Sequence, residues 1–292
     1  MTVLKDLFLH DMKFRIGFII IILILIIALL SFISPYGQEE RRIANKNLEL
    51  SWEHWLGTNA IGQDIFWMLT FAVRNSLFIG LISALISRCI AVVNGLFSGY
   101  LGGKIDRVLS TLTDSFIVVP KLPLLILFSF VFKGEITLLF MALLLGSLDW
   151  AWPSRRYRSQ ILSLREREFT FTAIFSGMKT PKVIYKEHLP FLIPYLMADT
   201  ISGLLWAIGM EITLSALGLT NLRISTIGTM IYWANYYQSM LQGRWNWLGP
   251  PILASILTVL SFYLLSGSIS AFLDPITRLK RISGGGLQNA NS

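Results

Sequence analysis

Six apolar stretches, separated by charged or aromatic-rich segments, set the rhythm of this chain. The first, Ile16 to Ser34, carries no charge and is built mainly of Ile and Leu. It follows Lys13 and Arg15 and stops at Pro35. About 20 apolar residues cross a bilayer as a helix. Each Ile or Leu contributes roughly −0.3 to −0.6 kcal/mol to insertion, so this stretch is predicted to span. A cleaved signal peptide has an apolar region of about 7–15 residues and a small-x-small cleavage site. This run is longer and no such site follows, so it is read as a retained anchor. Further spans are predicted over Leu77 to Gly99, Val108 to Phe132, Ile136 to Trp152, Leu189 to Leu219 and Leu248 to Leu273. Gly203, Gly209, Pro250 and Pro251 let the two long ones tilt or break.

The predicted fold class is an all-α integral membrane protein with six transmembrane helices. Residues 1–15 form an N-terminal segment, 16–35 the first helix, 36–76 an outer loop, 77–275 a five-helix core and 276–292 a tail. The tail after Arg281, beginning Ser283-Gly-Gly-Gly286, reads as a disordered end or an expression scar.

Composition agrees with this pattern. The 292 residues are 54% hydrophobic and 14% charged, with a mean hydropathy of +0.61. Soluble domains carry about 25% charged residues, so this is no ordinary soluble domain, nor a disordered chain or a collagen. The single cysteine, Cys89, excludes a disulfide within the chain.

The net charge of +8 reports topology. With the N-terminus inside, the cytoplasmic segments hold Lys5, Lys13, Arg15, Lys104, Arg107, Arg155, Arg156, Arg158, Arg165, Arg167, Lys179, Lys182, Lys186, Arg278, Lys280 and Arg281. The outer segments hold only Arg41, Arg42, Lys46, Arg74, Lys133, Arg223 and Arg244. Basic residues favour the cytoplasmic side, so both termini are placed there. No nucleic-acid partner is read from the charge.

Between the fourth and fifth spans, Trp152 to His188 is polar and basic yet contains Phe169, Ala173 and Phe175 as one apolar face. Two short helices joined at Gly177 explain it: glycine ends a helix cheaply in the left-handed conformation. Thr180-Pro181 fits an N-cap followed by proline at the first helical position. The aromatic face reads either as a docking surface or as helices lying on lipid headgroups.

This segment resembles the coupling motif of ABC importer permeases, Glu-Ala-Ala-x-x-x-Gly ending in Ile-x-Leu-Pro. Gly177 takes the glycine, Leu189-Pro190 the end and Ala173 the second alanine, while Phe171 replaces the glutamate. Leu56-Gly-Thr-Asn-Ala-Ile-Gly-Gln-Asp64, Gly99-Tyr-Leu-Gly-Gly103 with Asp106 and Asp114, Ser163-Leu-Arg-Glu-Arg-Glu168, Glu211 and Leu273-Asp-Pro275 narrow the resemblance. They are similar to the second permease chain of dipeptide and oligopeptide importers, whose relatives carry nickel or oligosaccharides. Gln63 departs from an arginine in the outer segment.

The resemblance implies a pore formed with a second homologous permease chain in the cytoplasmic membrane. It also implies two cytoplasmic ATPase subunits and an extracytoplasmic solute-binding protein. Coupling to the ATPases is expected of Arg165, Glu166, Arg167, Glu168, Phe171, Ala173, Gly177, Leu189 and Pro190. The chain has no Gly-x-x-x-x-Gly-Lys-[Ser/Thr] phosphate loop, so ATP and Mg are expected in the partners and no cofactor in this chain.

Charges inside spans cost roughly 2.5–3.5 kcal/mol each at a helix centre. Arg88, Asp114, Lys121 and Glu211 therefore need partners or water. Arg88 is expected to pair with Asp114 across the second and third spans, or else to face a partner chain or headgroups. Lys121, between Pro120 and Pro123, is expected to mark a polar break with its ammonium in water. Glu211 is expected to cap the fifth span or face the pore. If these groups worked directly, the chain would instead be a secondary transporter.

An enzyme is disfavoured. His10, His54 and His188 have no metal-ligand spacing, and no Gly-x-Ser-x-Gly nucleophile occurs. No catalytic, cofactor-binding or metal residue is assigned. Trp150, Trp233, Tyr236 and Trp245 read either as an interfacial belt or as rings along the solute path. The latter would suit an oligosaccharide rather than a peptide.

Overall fold

The computed structural model describes residues 7–8, 11–132 and 135–273. Lys5, His10, Lys133, Asp274-Pro275, Arg278, Lys280, Arg281 and the rest of the tail lie outside the described residues. Among the described residues the regular structure is helical, with one isolated bridge between Thr58 and Asp64.

Helix α1 (Met12–Leu30) starts ahead of the apolar run because Asp11 caps it, accepting from the backbone N–H groups of Lys13 and Phe14. It closes in a 3-10 turn, Ser31–Ile33. Helix α2 (Ile65–Leu101) begins well before Leu77, since Asp64 accepts from Trp67 N at 3.0 Å. Such a cap contributes about 0.5–2 kcal/mol. Arg74 is consequently a helical residue rather than a loop residue. Its guanidinium lies over the rings of Phe32 and Phe71, at 5.3 and 5.1 Å.

The predicted third span is two helices, α3 (Gly103–Val118) and α4 (Lys121–Val131), meeting at 79°. Pro120 lacks an N–H and forces extended geometry on Val119, which breaks the helix there. The predicted fourth span is α5 (Leu138–Leu148), a break at Asp149-Trp150, and α6 (Ala151–Arg165). Then come α7 (Glu168–Phe175), α8 (Thr180–Val183) with a π turn over Ile184–His188, α9 (Leu189–Ala216), α10 (Ile227–Tyr236) and α11 (Trp245–Leu273).

The segments Thr180–Ile193 and Tyr195–Ala216 meet at 60°, so the bend falls at Pro194 and not at Gly203 or Gly209. Helix α11 runs through Pro250 and Pro251 without a break.

By length and apolar character α1, α2 and α11 each suffice to cross a membrane, and counting each bent pair as one span gives up to five. At 1.5 Å per residue, α5 is only about 16 Å long, short of the ~30 Å hydrocarbon core.

Helix α2 is the spine, packing against α1, α3, α5, α6 and α9. Its contact with α6 uses Ala91, Gly95 and Gly99, which recur on one face. A Cβ on Gly95 would lie 2.7 Å from Tyr157 Cβ, and one on Gly99 2.8 Å from the Arg158 carbonyl. The two backbones therefore touch, as small residues permit between membrane helices. That contact brings the arginines of α6 beside the polar groups of α2.

Candidate functional site

Arg88, Lys121, Asp149 and Asp199 converge on one buried knot. Arg88 of α2 lies 2.8 Å from Asp149 Oδ2 and 2.9 Å from Asp199 Oδ2, and also donates to the Asp199 carbonyl. Lys121, at the start of α4, donates to Asp149 Oδ1 at 3.0 Å and sits 4.6 Å from the Trp206 ring centre. Arg156 and the Tyr157 hydroxyl of α6 reach the carboxylate of Asp199 in α9. The Tyr157 hydroxyl donates to Asp199 Oδ2 at 2.6 Å. A methyl group on Gly203, one turn along α9, would collide with the Arg88 guanidinium.

Two expectations are corrected here. Arg88 does not pair with Asp114. Its helix face points to the α5–α6 break and to α9, whereas Asp114 is 59% exposed and faces Arg155 at 3.5 Å. Lys121 does not reach out to water but neutralises Asp149. Asp149 and Asp199 were not singled out from the sequence. The available signal was that two cations inside spans need carboxylates, and these two lie in predicted spans.

Glu211 of α9 is buried and accepts from the hydroxyls of Ser76 at 2.9 Å and Ser215 at 2.8 Å. Ser76 accepts in turn from Ile227 N at the start of α10. Glu211 thus ties α9 to α2 and α10 from inside the bundle.

On the same end of the bundle as α6, the α7–α8 hairpin is tightly specified. Gly177 has φ +77°. Its N–H reaches the Ile174 carbonyl, and the Met178 N–H reaches the Ala173 carbonyl, which is the paired bonding of a Schellman stop. Thr180 is the first residue of α8 rather than its cap; Lys179 takes that position without a side-chain bond.

The apolar face divides differently from the sequence expectation. Ala173 is buried, and Phe169 stacks on Phe191 with centroids 5.1 Å apart. Phe171, Ile174 and Phe175 are exposed, the last at 87%. Arg165, Glu166, Arg167 and Glu168 are exposed beside them, and Leu189 and Pro190 open α9.

His188 anchors the hairpin. The Thr170 hydroxyl donates to the Leu164 carbonyl and so must accept from His188 Nε2–H. This leaves Nδ1 of His188 as a buried acceptor with no partner.

The segment between α1 and α2 is equally ordered. Asn59 Oδ1 accepts from Ile61 N and Gln63 N, Gln63 Nε2 donates to the Glu40 carbonyl, and His54 Nδ1 meets Asp64 Oδ2 at 2.7 Å. Gln63 is buried, which an unpaired arginine charge would not tolerate.

The aromatic candidates do not form one path. Trp150 is buried against Phe116. Trp233 donates to the Leu222 carbonyl and contacts Tyr232, Tyr236 and Tyr237. Tyr236 and Trp245 are exposed.

Residues 91–279 match the family described as binding-protein-dependent transport system inner membrane component. The chain is 33% identical over 230 residues to the oligopeptide transport system permease protein OppC of Mycobacterium tuberculosis, covering 78% of each chain. It is 29% identical over 264 residues to the dipeptide transport system permease protein DppC of Bacillus subtilis, covering 90% of this chain and 81% of that one. It is also 31% identical over 269 residues to the nickel transport system permease protein NikC of Escherichia coli, covering 89% and 93%.

Proposed function

The chain belongs to the binding-protein-dependent transport system inner membrane components, and from that premise we propose that it is the second permease chain of an ATP-driven importer of dipeptides or oligopeptides. A homologous permease completes the pore, a binding protein delivers the solute outside, and two ATPase subunits hold ATP and Mg inside. Both termini are cytoplasmic. The fourth of six crossings is α5 together with its break and the start of α6.

The observation that carries this reading is the α7–α8 hairpin. One side is fixed to α9 through His188, Thr170 and the Phe169–Phe191 stack. The other side presents Phe171, Ile174 and Phe175 to solvent. An exposed apolar face on a rigid projection is a surface for a protein partner, and its anchorage to α9 gives movement of that partner a route into the bundle. Phe171, standing where the family motif has a glutamate, makes this contact apolar.

The peptide assignment follows the oligopeptide and dipeptide relatives. An oligosaccharide is the second reading, because Trp233 lines an outer cavity of about 290 Å³ together with Arg41 and Arg223, and an indole suits a sugar face. Affinity of the cognate binding protein decides the solute. Binding of short peptides and not of glycans is expected; the reverse overturns the peptide assignment.

A further inference from the structure

Between α1 and α2 the chain turns a short run of apolar and acidic side chains outward. Trp52 is 97% exposed, and Leu50 and Trp55 on either side of it are exposed as well. Glu49, Ser51 and Glu53 complete the exposed run. A packed indole buries about 150–250 Å², and at Trp52 almost none of that is realised within this chain.

The run is held in one conformation. Ser51 N–H donates to the His54 carbonyl at 2.9 Å, and His54 N–H donates to Ser51 Oγ at 3.1 Å, so Trp52 sits inside a closed turn. His54 Nδ1 meets Asp64 Oδ2 at 2.7 Å, which ties that turn to the start of α2. Asn246 Nδ2, at the start of α11, donates to the Leu56 carbonyl at 2.8 Å. The Trp55 ring lies 4.8 Å from that of Phe66, in the first turn of α2. Rings presented on a fixed backbone lose little freedom when a partner covers them.

Height decides what can cover them. The apolar stretch of α1 and its 3-10 turn ends at Ile33, and the Arg74 guanidinium of α2 lies over the neighbouring Phe32 ring. The hydrocarbon layer therefore ends near the level of Arg74. Phe66 stands about 12 Å further out along α2, at 1.5 Å per residue, and a helix tilt of about 20° removes less than about 1 Å of this. The headgroup layer on one side is only about 5–8 Å thick. Trp55, packed on Phe66, thus stands in water beyond the headgroups, and the lipid interface that suits tryptophan elsewhere is out of its reach. Glu49 and Glu53 add charge that an anionic lipid surface repels. A protein is the remaining cover for these rings, and the family is one whose transport depends on a binding protein.

We propose that Leu50, Trp52 and Trp55, flanked by Glu49 and Glu53, anchor the solute-binding protein to this chain. The rings enter a shallow apolar socket on one lobe of that protein, and the two carboxylates face Lys or Arg on the socket's rim. Exposed tryptophans on a rigid turn are the kind of residue that dominates binding energy at such contacts. The inference rests on the importer reading above and names the surface that this reading leaves open.

The test measures the affinity of the purified cognate binding protein for the complete permease–ATPase complex in nanodiscs. Trp52→Ser is expected to weaken binding about tenfold or more. Glu49→Gln combined with Glu53→Gln is expected to weaken it less and to flatten its dependence on salt. Co-purification of the partner permease and ATPase subunits, and ATPase activity without binding protein, are expected to stay unchanged.

Unchanged affinity in both Trp52→Ser and Trp55→Ser overturns the proposal. Loss of the partner permease from the Trp52→Ser complex also overturns it, because the rings would then join the two permeases. A spin label on Trp52→Cys in a Cys89→Ala background is expected to be reached by a water-soluble relaxant. Preferential relaxation by lipid-dissolved oxygen would place the ring in lipid and overturn the proposal as well. A wild-type complex without affinity for the binding protein in any nucleotide state would remove the importer reading and this inference together. With that affinity present, the variants judge the anchor alone.

Discussion

The guanidinium of Arg88 occupies the space that a side chain at Gly203 would need. A cation on α2 and a missing side chain on α9 are thus one feature. Gly203→Ala is expected to push Arg88 off Asp199 and Asp149, at a cost of about 1–3 kcal/mol from overpacking with weakened ion pairs in addition. A fall in the melting temperature of the purified protein measures it; an unchanged value would show that the guanidinium has room elsewhere.

Arg88→Met leaves the buried Asp199 and Asp149 with less positive charge, and breaking a buried pair costs about 3–5 kcal/mol. Arg88→Met combined with Asp199→Asn is expected to be less damaging than the sum of the two. Arg88→Met and Asp114→Asn are expected to add independently, since Asp114 pairs with Arg155. A double-mutant cycle on thermal stability reads both, and coupling of Arg88 to Asp114 alone would contradict the structure.

Much of this was legible in the sequence, and the misses have physical causes. Apolar run length located the three helices long and apolar enough to cross a membrane, α1, α2 and α11, and Gly177 with its left-handed φ was readable because few residues other than glycine adopt that conformation cheaply. Helix starts were missed where a cap outside the apolar run sets them, as Asp64 does for α2. The bend in α9 falls between Ile193 and Tyr195 and not at Gly203 or Gly209, while α11 stays unbroken through Pro250 and Pro251, so neither residue type alone marks a break. The Arg88 partners were missed because pairing was sought between helices adjacent in sequence. The tertiary fold instead brings the α5–α6 break and α9 to the same point, and no local pattern encodes that.

Gly177 is expected to tolerate asparagine and reject valine. The left-handed conformation costs a residue with a Cβ about 1–2 kcal/mol, and asparagine enters it more readily than a β-branched residue. Nothing lies within 4 Å of a Cβ built there, so crowding plays no part. Co-purification of the ATPase subunits should survive Gly177→Asn and fall with Gly177→Val. Equal retention in both would remove the hairpin from the coupling role.

Orientation is checked by cysteine labelling in a Cys89→Ala background, since native Cys89 is exposed. Single cysteines at the exposed positions Lys46 and Arg223 should react with a membrane-impermeant maleimide added outside, and one at exposed Lys179 should not. Labelling of Lys179 from outside would reverse the topology.

The most direct measurement is uptake of radiolabelled trialanine into proteoliposomes holding this chain, its partner permease and the ATPase subunits, with binding protein supplied on the solute side. Uptake is expected to require both binding protein and ATP on the side of the α7–α8 hairpin, and to persist when the proton gradient is collapsed. Uptake driven by a proton gradient without ATP would contradict the account.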